Sequence, residues 1–335
     1  MHMIDALISP AVGGVMAAVS VGVGTLSIAK VRKDELADAK LPLMGVAGAL
    51  VFAGQMINFT IPATGSSGHI GGGILLAGLL GGFPAFLAIA AVLIIQCLFF
   101  ADGGLLALGC NIFNMGVIPC MILYPLVFKP LIAKGITAKR LSAASIIAVI
   151  AGLELGAFGV VLETQISGIT ALPFGTFTAL MLPIHLAIGA VEGIVTAAVL
   201  VFVWKMRPEI LEAAQGRSRI GGSVSTRKVL VTLAVLAVIV GGAVSLFASA
   251  NPDGLEWAME KVGAAELEAN GGVYDGALNV QEKTAFLPDY AFASNPDSIA
   301  GTTVSGIVGA GLVFAVAGAA GLIITIVKKQ KKVQS

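Results

Sequence analysis

Long apolar segments, most of them about as long as a membrane is thick, constrain this sequence more than any other feature. About 20 mostly apolar residues are needed to cross a bilayer as a helix. Charged residues make up only 12% of the chain, whereas about 25% is usual in a soluble domain. The sequence therefore predicts an all-α integral membrane protein that crosses the bilayer several times. We assign spans to the residues 8–29, 41–59, 70–82, 84–100, 105–128, 141–162, 181–204, 229–250 and 302–327.

Two apolar stretches do not fit a simple span. The segment 70–82 is short and rich in glycine, which is typical of a half-span or a re-entrant segment. The segment 165–180 is interrupted by Pro173, and proline disrupts the interior of a helix. We expect that segment to be an extracytoplasmic loop.

The distribution of basic residues predicts the orientation. Lysines and arginines cluster at 30–40, 129–140, 205–228 and 328–332, whereas 251–300 is acidic and contains only Lys261 and Lys283 as basic residues. Cytoplasmic loops carry an excess of basic residues. With nine spans, one orientation satisfies every loop: an extracytoplasmic N-terminus and a cytoplasmic C-terminus in the bacterial cytoplasmic membrane.

A polar stretch predicts the domain organisation. The residues 206–228 contain several glycines and serines between apolar segments, a composition typical of a linker. It separates a seven-span region, 1–205, from 229–335, which we predict to be a two-span hairpin around an extracytoplasmic loop, 251–300. The sequence contains neither a G-x-x-x-x-G-K-[ST] phosphate-binding loop nor an internal repeat, so ATP binding through that loop and an inverted-repeat transporter are not indicated.

The first residues have the chemistry of a metal chelate. His2 is one of three histidines, with His69 and His185, and it is too large to permit the usual removal of Met1. The Met1 amine, the His2 amide nitrogen and the His2 ring Nδ1 can form two fused chelate rings around one ion. Square-planar nitrogen coordination suits Ni(II) or Cu(II). The glycine-rich loop around His69 is predicted on the same side of the membrane, where it can supply a fourth nitrogen.

Five stretches resemble the nickel/cobalt substrate-binding (S) components of energy-coupling factor transporters, the NikM/CbiM type, and cover about 1–205. They are MHMI at 1–4, GQMINF at 54–59, SGHIGG at 67–72, ADGGLLALGCNIFNMG at 101–116 and HLAIGAVEG at 185–193. NPDGLEW at 251–257 resembles the small PDGLE-containing companion subunit (NikN-like), here fused to the first region. The residues Met3 to Ala6 differ from many relatives, which affects the path of the N-terminal segment but not the chelating atoms.

The resemblance implies a transport component without enzymatic activity. In that family the metal is held by the N-terminal amine, the amide and side chain of the second residue, and a loop histidine, which correspond here to Met1, His2 and His69. It also implies a separate transmembrane coupling (T) subunit and ATPase subunits, which hydrolyse ATP. No cofactor is expected beyond the transported ion, and nucleic acid is not a predicted partner.

Several other polar residues lie in or beside apolar segments. Asn58, Asn111 and Asn114 are candidates to hydrogen-bond the ligand loops. Intramembrane ionisable groups usually face protein or a cavity, and we interpret Glu154, His185 and Glu192 as an interhelical polar clamp in preference to a proton or metal relay. Small residues recur on the last span and predict a helix-packing face: Gly311, Ala315 and Ala319.

The functional prediction is high-affinity capture and uptake of a divalent transition metal, and Ni(II) is the favoured ion. Co(II) uptake for cobalamin synthesis by the same mechanism stays open, because both ions bind these nitrogens. An autonomous metal channel or secondary transporter would need a continuous polar path across the bilayer, and only isolated polar groups are seen. The same transporter class serving an organic substrate would need an aromatic-lined pocket, and aromatic residues are 6% of the chain.

Overall fold

The computed structural model describes residues 1–34, 37–216, 227–264, 267–295 and 298–334. Apart from short 3-10 turns and one small β-hairpin, the regular structure within these ranges is helical. We number the helices α1 (Pro10–Lys33), α2 (Ala37–Gln55), α3 (Gly73–Leu80), α4 (Gly82–Phe100), α5 (Leu108–Leu131), α6 (Ala138–Ser167), α7 (Phe174–Met206), α8 (Pro208–Ala214), α9 (Arg227–Gly242), α10 (Gly254–Lys261), α11 (Val273–Thr284) and α12 (Ile299–Gln334). The hairpin pairs β1 (Phe59–Ile61) with β2 (Ser66–Gly68) in antiparallel register.

Long apolar helices confirm the prediction of an all-α integral membrane protein. Seven helices of the described chain are long and apolar enough to cross a membrane: α1, α4, α5, α6, α7, α9 with the turn that follows it, and α12. Helix α2 adds a shorter apolar stretch, Pro42–Gln55. Helix α12 packs closely on the glycines of α2: Gly45 lies against Phe314, and Gly48 lies against Val313.

The glycine-rich third segment is a broken span. Helix α3 has only eight residues, all buried, and a helix of that length reaches about 12 Å. Before it, Gly71 and Gly72 pass through the bundle beside Glu192 of α7. After it, Gly81 lies against the carbonyl of Ala214 in α8. The non-helical glycines and the short helix together carry the chain from one end of the bundle to the other.

The prediction of a loop over 165–180 was wrong for most of that range. Helix α6 continues to Ser167, where Gly168 ends it in the left-handed conformation with φ of 63°. Pro173 is the residue just before helix α7, which begins at Phe174. Proline is tolerated at helix starts, because the first N–H groups of a helix have no partner within it. Only 168–173 connects the two helices.

The two ends of the bundle differ in charge. At one end, which we call the basic end, Val31 packs against Phe83, and the hydroxyl of Tyr124 donates to the Ala214 carbonyl at 3.0 Å. Lys129 lies over the Tyr124 ring there. The opposite end, which we call the acidic end, gathers the N-terminus, the β-hairpin and 249–257. The described residues around Val31, Lys129 and Ala214 therefore share one end, and 249–257 lies with the N-terminus at the other.

The last helix packs through a different face from the one predicted. Gly311, Ala315 and Ala319 are exposed, whereas Ala310, Val313 and Ala317 are buried. A repeat of small residues every four positions marks one face of a helix, but a neighbouring face, also made mostly of small residues, packs on α2 here. The domain division at 206–228 stays a prediction, since 217–226 lie outside the described residues.

Candidate metal centre

The first residues are buried at the acidic end of the bundle. Met1 is 6% exposed and Met3 is fully buried. The side-chain amide of Asn111 in α5 holds the Met3 backbone from both sides, because its Oδ1 accepts from Met3 N at 2.8 Å and its Nδ2 donates to Met3 O at 3.2 Å. Gly104 N donates to the same carbonyl at 2.9 Å. The N-terminal segment is therefore fixed to the bundle by hydrogen bonds to both backbone polar groups of Met3.

The N-terminal amine forms an ion pair with Asp253, a residue distant in sequence. The amine lies 2.5 Å from Asp253 Oδ2. Burial alone would raise the pKa of the Asp253 carboxyl, but the adjacent N-terminal ammonium, His69 and the hydrogen bond from Glu256 N together outweigh burial and hold that pKa well below its usual range. The amine is thus fixed in place by a carboxylate that stays ionised.

His2 is held by a second carboxylate. Its Nδ1 lies 3.0 Å from Asp102 Oδ1, and the other oxygen of Asp102 accepts from the Tyr290 hydroxyl. Burial alone would raise the pKa of Asp102, but the adjacent His2 lowers it to about 2. The His2 Nε2 is buried and has no hydrogen-bond partner among the described residues.

His69 stacks on His2. The ring centroids are 5.2 Å apart and the planes differ by 12°. His69 Nδ1 donates to the Ile70 carbonyl at 3.0 Å, which leaves the lone pair on Nε2. The pKa of His69 is lowered to about 4, chiefly by burial and next by the positive charge of the N-terminus. His69 is therefore neutral at ordinary pH, and neutral imidazole is the metal-binding form.

Two cavities adjoin these nitrogens. A small one of about 10 Å³ is lined by Met1, His69, His185 and Asp253 among others, and that volume is about the room needed for one water molecule. The second is open and measures about 650 Å³; we call it the acidic vestibule. Four carboxylates line the vestibule together with His2 and His69: Asp102, Asp253, Glu256 and Asp289. Such a cavity attracts cations towards the nitrogens.

Side chains alone do not make a metal cluster here. Among the residues that the structure describes, no group of three or more His, Cys, Asp or Glu side chains is arranged to hold an ion. The three cysteines are free and buried: Cys97, Cys110 and Cys120.

Of the three candidate asparagines, only Asn111 contacts the N-terminal segment. Asn114 instead donates to Glu163 Oε2 at 2.8 Å, inside the bundle. The Asn58 carbonyl accepts from Ser249 N at 2.7 Å, and Asn58 lines the vestibule. Of these candidates, Asn111 hydrogen-bonds the N-terminal segment, and the described hydrogen bonds of the other two lead elsewhere.

Glu154, His185 and Glu192 do not form a clamp between helices. Glu192 accepts from Gly71 N at 2.7 Å and Gly72 N at 2.8 Å, and so holds the backbone that follows His69. His185 Nδ1 donates to Met181 O of its own helix at 2.8 Å, and its Nε2 has no described partner. Glu154 Oε1 has none either. The clamp prediction was wrong because the partner of Glu192 is loop backbone.

The most informative residues that sequence reasoning missed are Asp102 and Asp253. Both lie in stretches that carry the family resemblance, Asp102 directly after the end of α4 and Asp253 in the PDGLE stretch. A carboxylate next to a predicted N-terminal ligand site is a signal that was available. The pairing cannot be read from the sequence, because Asp253 lies 252 positions along the chain from the amine that it binds.

The fold and the site define a class: a multi-pass helical membrane protein with a buried N-terminal nitrogen cluster beneath an acidic cavity. The family model described as the cobalt uptake substrate-specific transmembrane region, CbiM, matches residues 2–210, and the PDGLE domain matches residues 227–326. The chain belongs to the CbiM family and carries a C-terminal PDGLE domain.

Relatives of known name and solved structures agree with this family. The fused nickel transport protein NikMN of Rhodobacter capsulatus is 30% identical over 94% of this chain and 95% of its own. A NikMN-type relative from Archaeoglobus fulgidus is 34% identical over 94% of this chain and 96% of its own. The crystal structure of a transition metal transporter matches with a TM-score of 0.55 at 28% identity, and it covers 65% of this chain and 100% of that one.

Proposed function

We propose that this protein captures Ni(II) at its acidic end and delivers it across the membrane as the substrate-specific component of an energy-coupling factor transporter. The observation that carries the proposal is the placement of the Met1 amine, bound to Asp253, in a small cavity with His69, which stacks on His2 beside the acidic vestibule. Relatives named as nickel and cobalt transport proteins support the substrate class. Co(II) is the alternative ion.

The chemistry of capture follows from the donors. Nickel takes the place of a proton on the Met1 amine and on the His2 amide nitrogen, and His2 Nδ1 turns from Asp102 to the ion. A nitrogen of His69 completes the square that Ni(II) favours. The vestibule carboxylates offset the charge of the entering dication without forming the coordination sphere themselves.

Energy for the inward step is assigned to partners. On the basis of the family resemblance, the partners are a transmembrane coupling subunit and ATPase subunits. This chain then has no enzymatic role of its own.

Metal content tests the proposed function. We expect the full chain, purified after growth in a medium with equal nickel, cobalt, zinc and copper, to carry close to one nickel per chain. Inductively coupled plasma mass spectrometry gives the ratio. Cobalt in place of nickel would select the alternative ion, and no bound transition metal in the native chain would contradict the proposal. The matched control is the His2→Leu chain, which keeps Met1 and should carry far less nickel.

Orientation is the second part of the proposal. We place the acidic end outside the cytoplasmic membrane and the basic end inside, in accordance with the positive-inside rule. In spheroplasts, an impermeant maleimide should label Asn270→Cys at once and Lys134→Cys only after permeabilisation. Both positions are exposed, and the native cysteines are buried, so the background is low. The reverse pattern would overturn the orientation.

A further inference from the structure

Asp253 joins the N-terminus to the C-terminal part of the chain. Its Oδ2 faces the N-terminal amine, and its Oδ1 accepts from the backbone N–H groups of Leu255 at 2.8 Å and Glu256 at 2.9 Å. The hydrogen bonds accepted by Oδ1 cap the N-terminus of helix α10. Because the two oxygens have separate partners, the cap fixes where the carboxylate meets the amine.

The turn that carries Asp253 is itself fixed against the His69 loop. Ser67 N donates to Pro252 O at 2.8 Å, next to the candidate ligand. In the turn of the same hairpin, Thr64 O accepts from Trp257 Nε1 at 3.0 Å. The carboxylate and His69 are therefore held by one hydrogen-bonded unit, although they are far apart in sequence.

From this geometry we infer that Asp253 is a positioning residue for the metal. It holds the N-terminal amine where His2 and His69 can share an ion with it, so the segment 249–257 completes the metal site. The inference rests on the proposed function, because it takes the Met1 amine as a ligand. It adds a specific role for the fused C-terminal region in loading the ion.

A count of charges shows that Asp253 can stay in place throughout loading. Before loading, the carboxylate faces an ammonium with a charge of +1. After loading, it faces a dication bound to a neutral amine and to an amide that has lost its proton, again a net charge of +1. A metal-bound amine keeps N–H groups that can donate to Asp253 Oδ2. A carboxylate that orients a ligand in this way supports metal affinity.

The substitution Asp253→Asn separates charge from capping. Asparagine keeps a side-chain oxygen and is itself a favoured N-cap residue, so helix α10 should remain intact. We expect the nickel affinity of the purified full chain, measured by calorimetric titration with nickel chloride, to fall about 10- to 100-fold. Asp275→Asn is the matched control, because Asp275 is an exposed carboxylate that bonds only Gly271 N among the described residues. Its nickel affinity should equal that of the native chain.

A double-mutant cycle distinguishes positioning from a merely structural role. Inserting Leu between Met1 and His2 moves the amine away from Asp253, so Asp253→Asn should change nickel affinity less than about twofold in that background. A structural role would cost the same in both backgrounds, and that result would overturn the inference. Equal affinities of the native, Asp253→Asn and Asp275→Asn chains would also overturn it, even if the longer terminus binds no nickel. A native chain that binds no transition metal would instead overturn the proposed function.

Discussion

Insertion of one leucine between Met1 and His2 is expected to abolish metal uptake, although every native side chain is kept. Consecutive Cα atoms lie about 3.8 Å apart, so the amine can no longer occupy its present place against Asp253. The longer terminus offers an amine, two amides and an imidazole, which fill a square plane without His69. We expect nickel uptake in whole cells to fall at least tenfold even if the purified chain still binds the ion.

Two controls accompany this variant. Insertion of alanine at the same point creates a small second residue, so Met1 is removed and the chain starts with Ala-His at its native length; uptake should then largely persist. Insertion of leucine between Gly271 and Gly272, which have open space around them, should have little effect. Mass spectrometry of the intact proteins establishes where each chain starts. Native uptake by the leucine variant with Met1 retained would show that the amine is not a ligand.

The second large effect is expected from the two stacked histidines, in a fixed order. Four-ligand metal sites have apparent binding free energies of about 10–16 kcal/mol, which is roughly 3 kcal/mol or about 100-fold in affinity per ligand. His69→Ala should weaken nickel binding by about that factor. His2→Leu, which keeps Met1 in place, should weaken it about 1000-fold or more, because the ring that holds the amide nitrogen on the ion is opened as well.

The third histidine serves as the comparison. His185→Gln should keep nickel affinity within about threefold of native, because its Nδ1 is bonded to its own helix and the proposed square is complete without it. Competition with a metal-sensitive dye gives all three affinities. If His69→Ala proves the mildest of the three, the fourth nitrogen must be reassigned, with His185 as the first candidate.

The pH dependence of the same variants provides a further check. The pKa of His69 is lowered to about 4, so its metal-binding neutral form persists from high pH down to about that value. His69 therefore releases no proton on binding between pH 6 and 8. Affinity should fall as the pH is lowered through this range, because the amine and the amide must lose protons. The native and His69→Ala chains should show the same slope, and a shallower slope for the variant would mean that His69 itself gives up a proton to the metal.

The spans could be predicted because each is a local run of apolar residues. All nine predicted segments contain a helix. The errors occur where one sequence pattern is compatible with two structures. Pro173 indicates a helix break, yet a residue at a helix start needs no N–H partner inside the helix. The repeat through Gly311 marks a face, but which face packs depends on neighbouring helices that the repeat does not specify.

The ligand candidates could also be anticipated, but not their partners. A histidine after Met1 and a second one in a glycine-rich loop are local signals, and the structure stacks these two rings. The oxygens that hold the nitrogens come from Asp102 and Asp253, far along the chain, and no periodicity links such positions. Glu192 was singled out as a buried charge, but its loop partner depends on how the broken third span enters the bundle.

The close approach of α2 and α12, which belong to the two different regions, has a consequence for assembly. A side chain at Gly45 would begin 2.9 Å from the Phe314 carbonyl, so the two helices are in direct contact. Contacts between small residues in membranes gain little from the hydrophobic effect, because lipid is as apolar as the helices. A covalent tether supplies an effective concentration in the millimolar range when its length suits the distance. Carrying both regions on one polypeptide thus fixes their stoichiometry at one to one. Because the two regions are tethered, a weak contact between their helices is enough to keep them together in the bilayer.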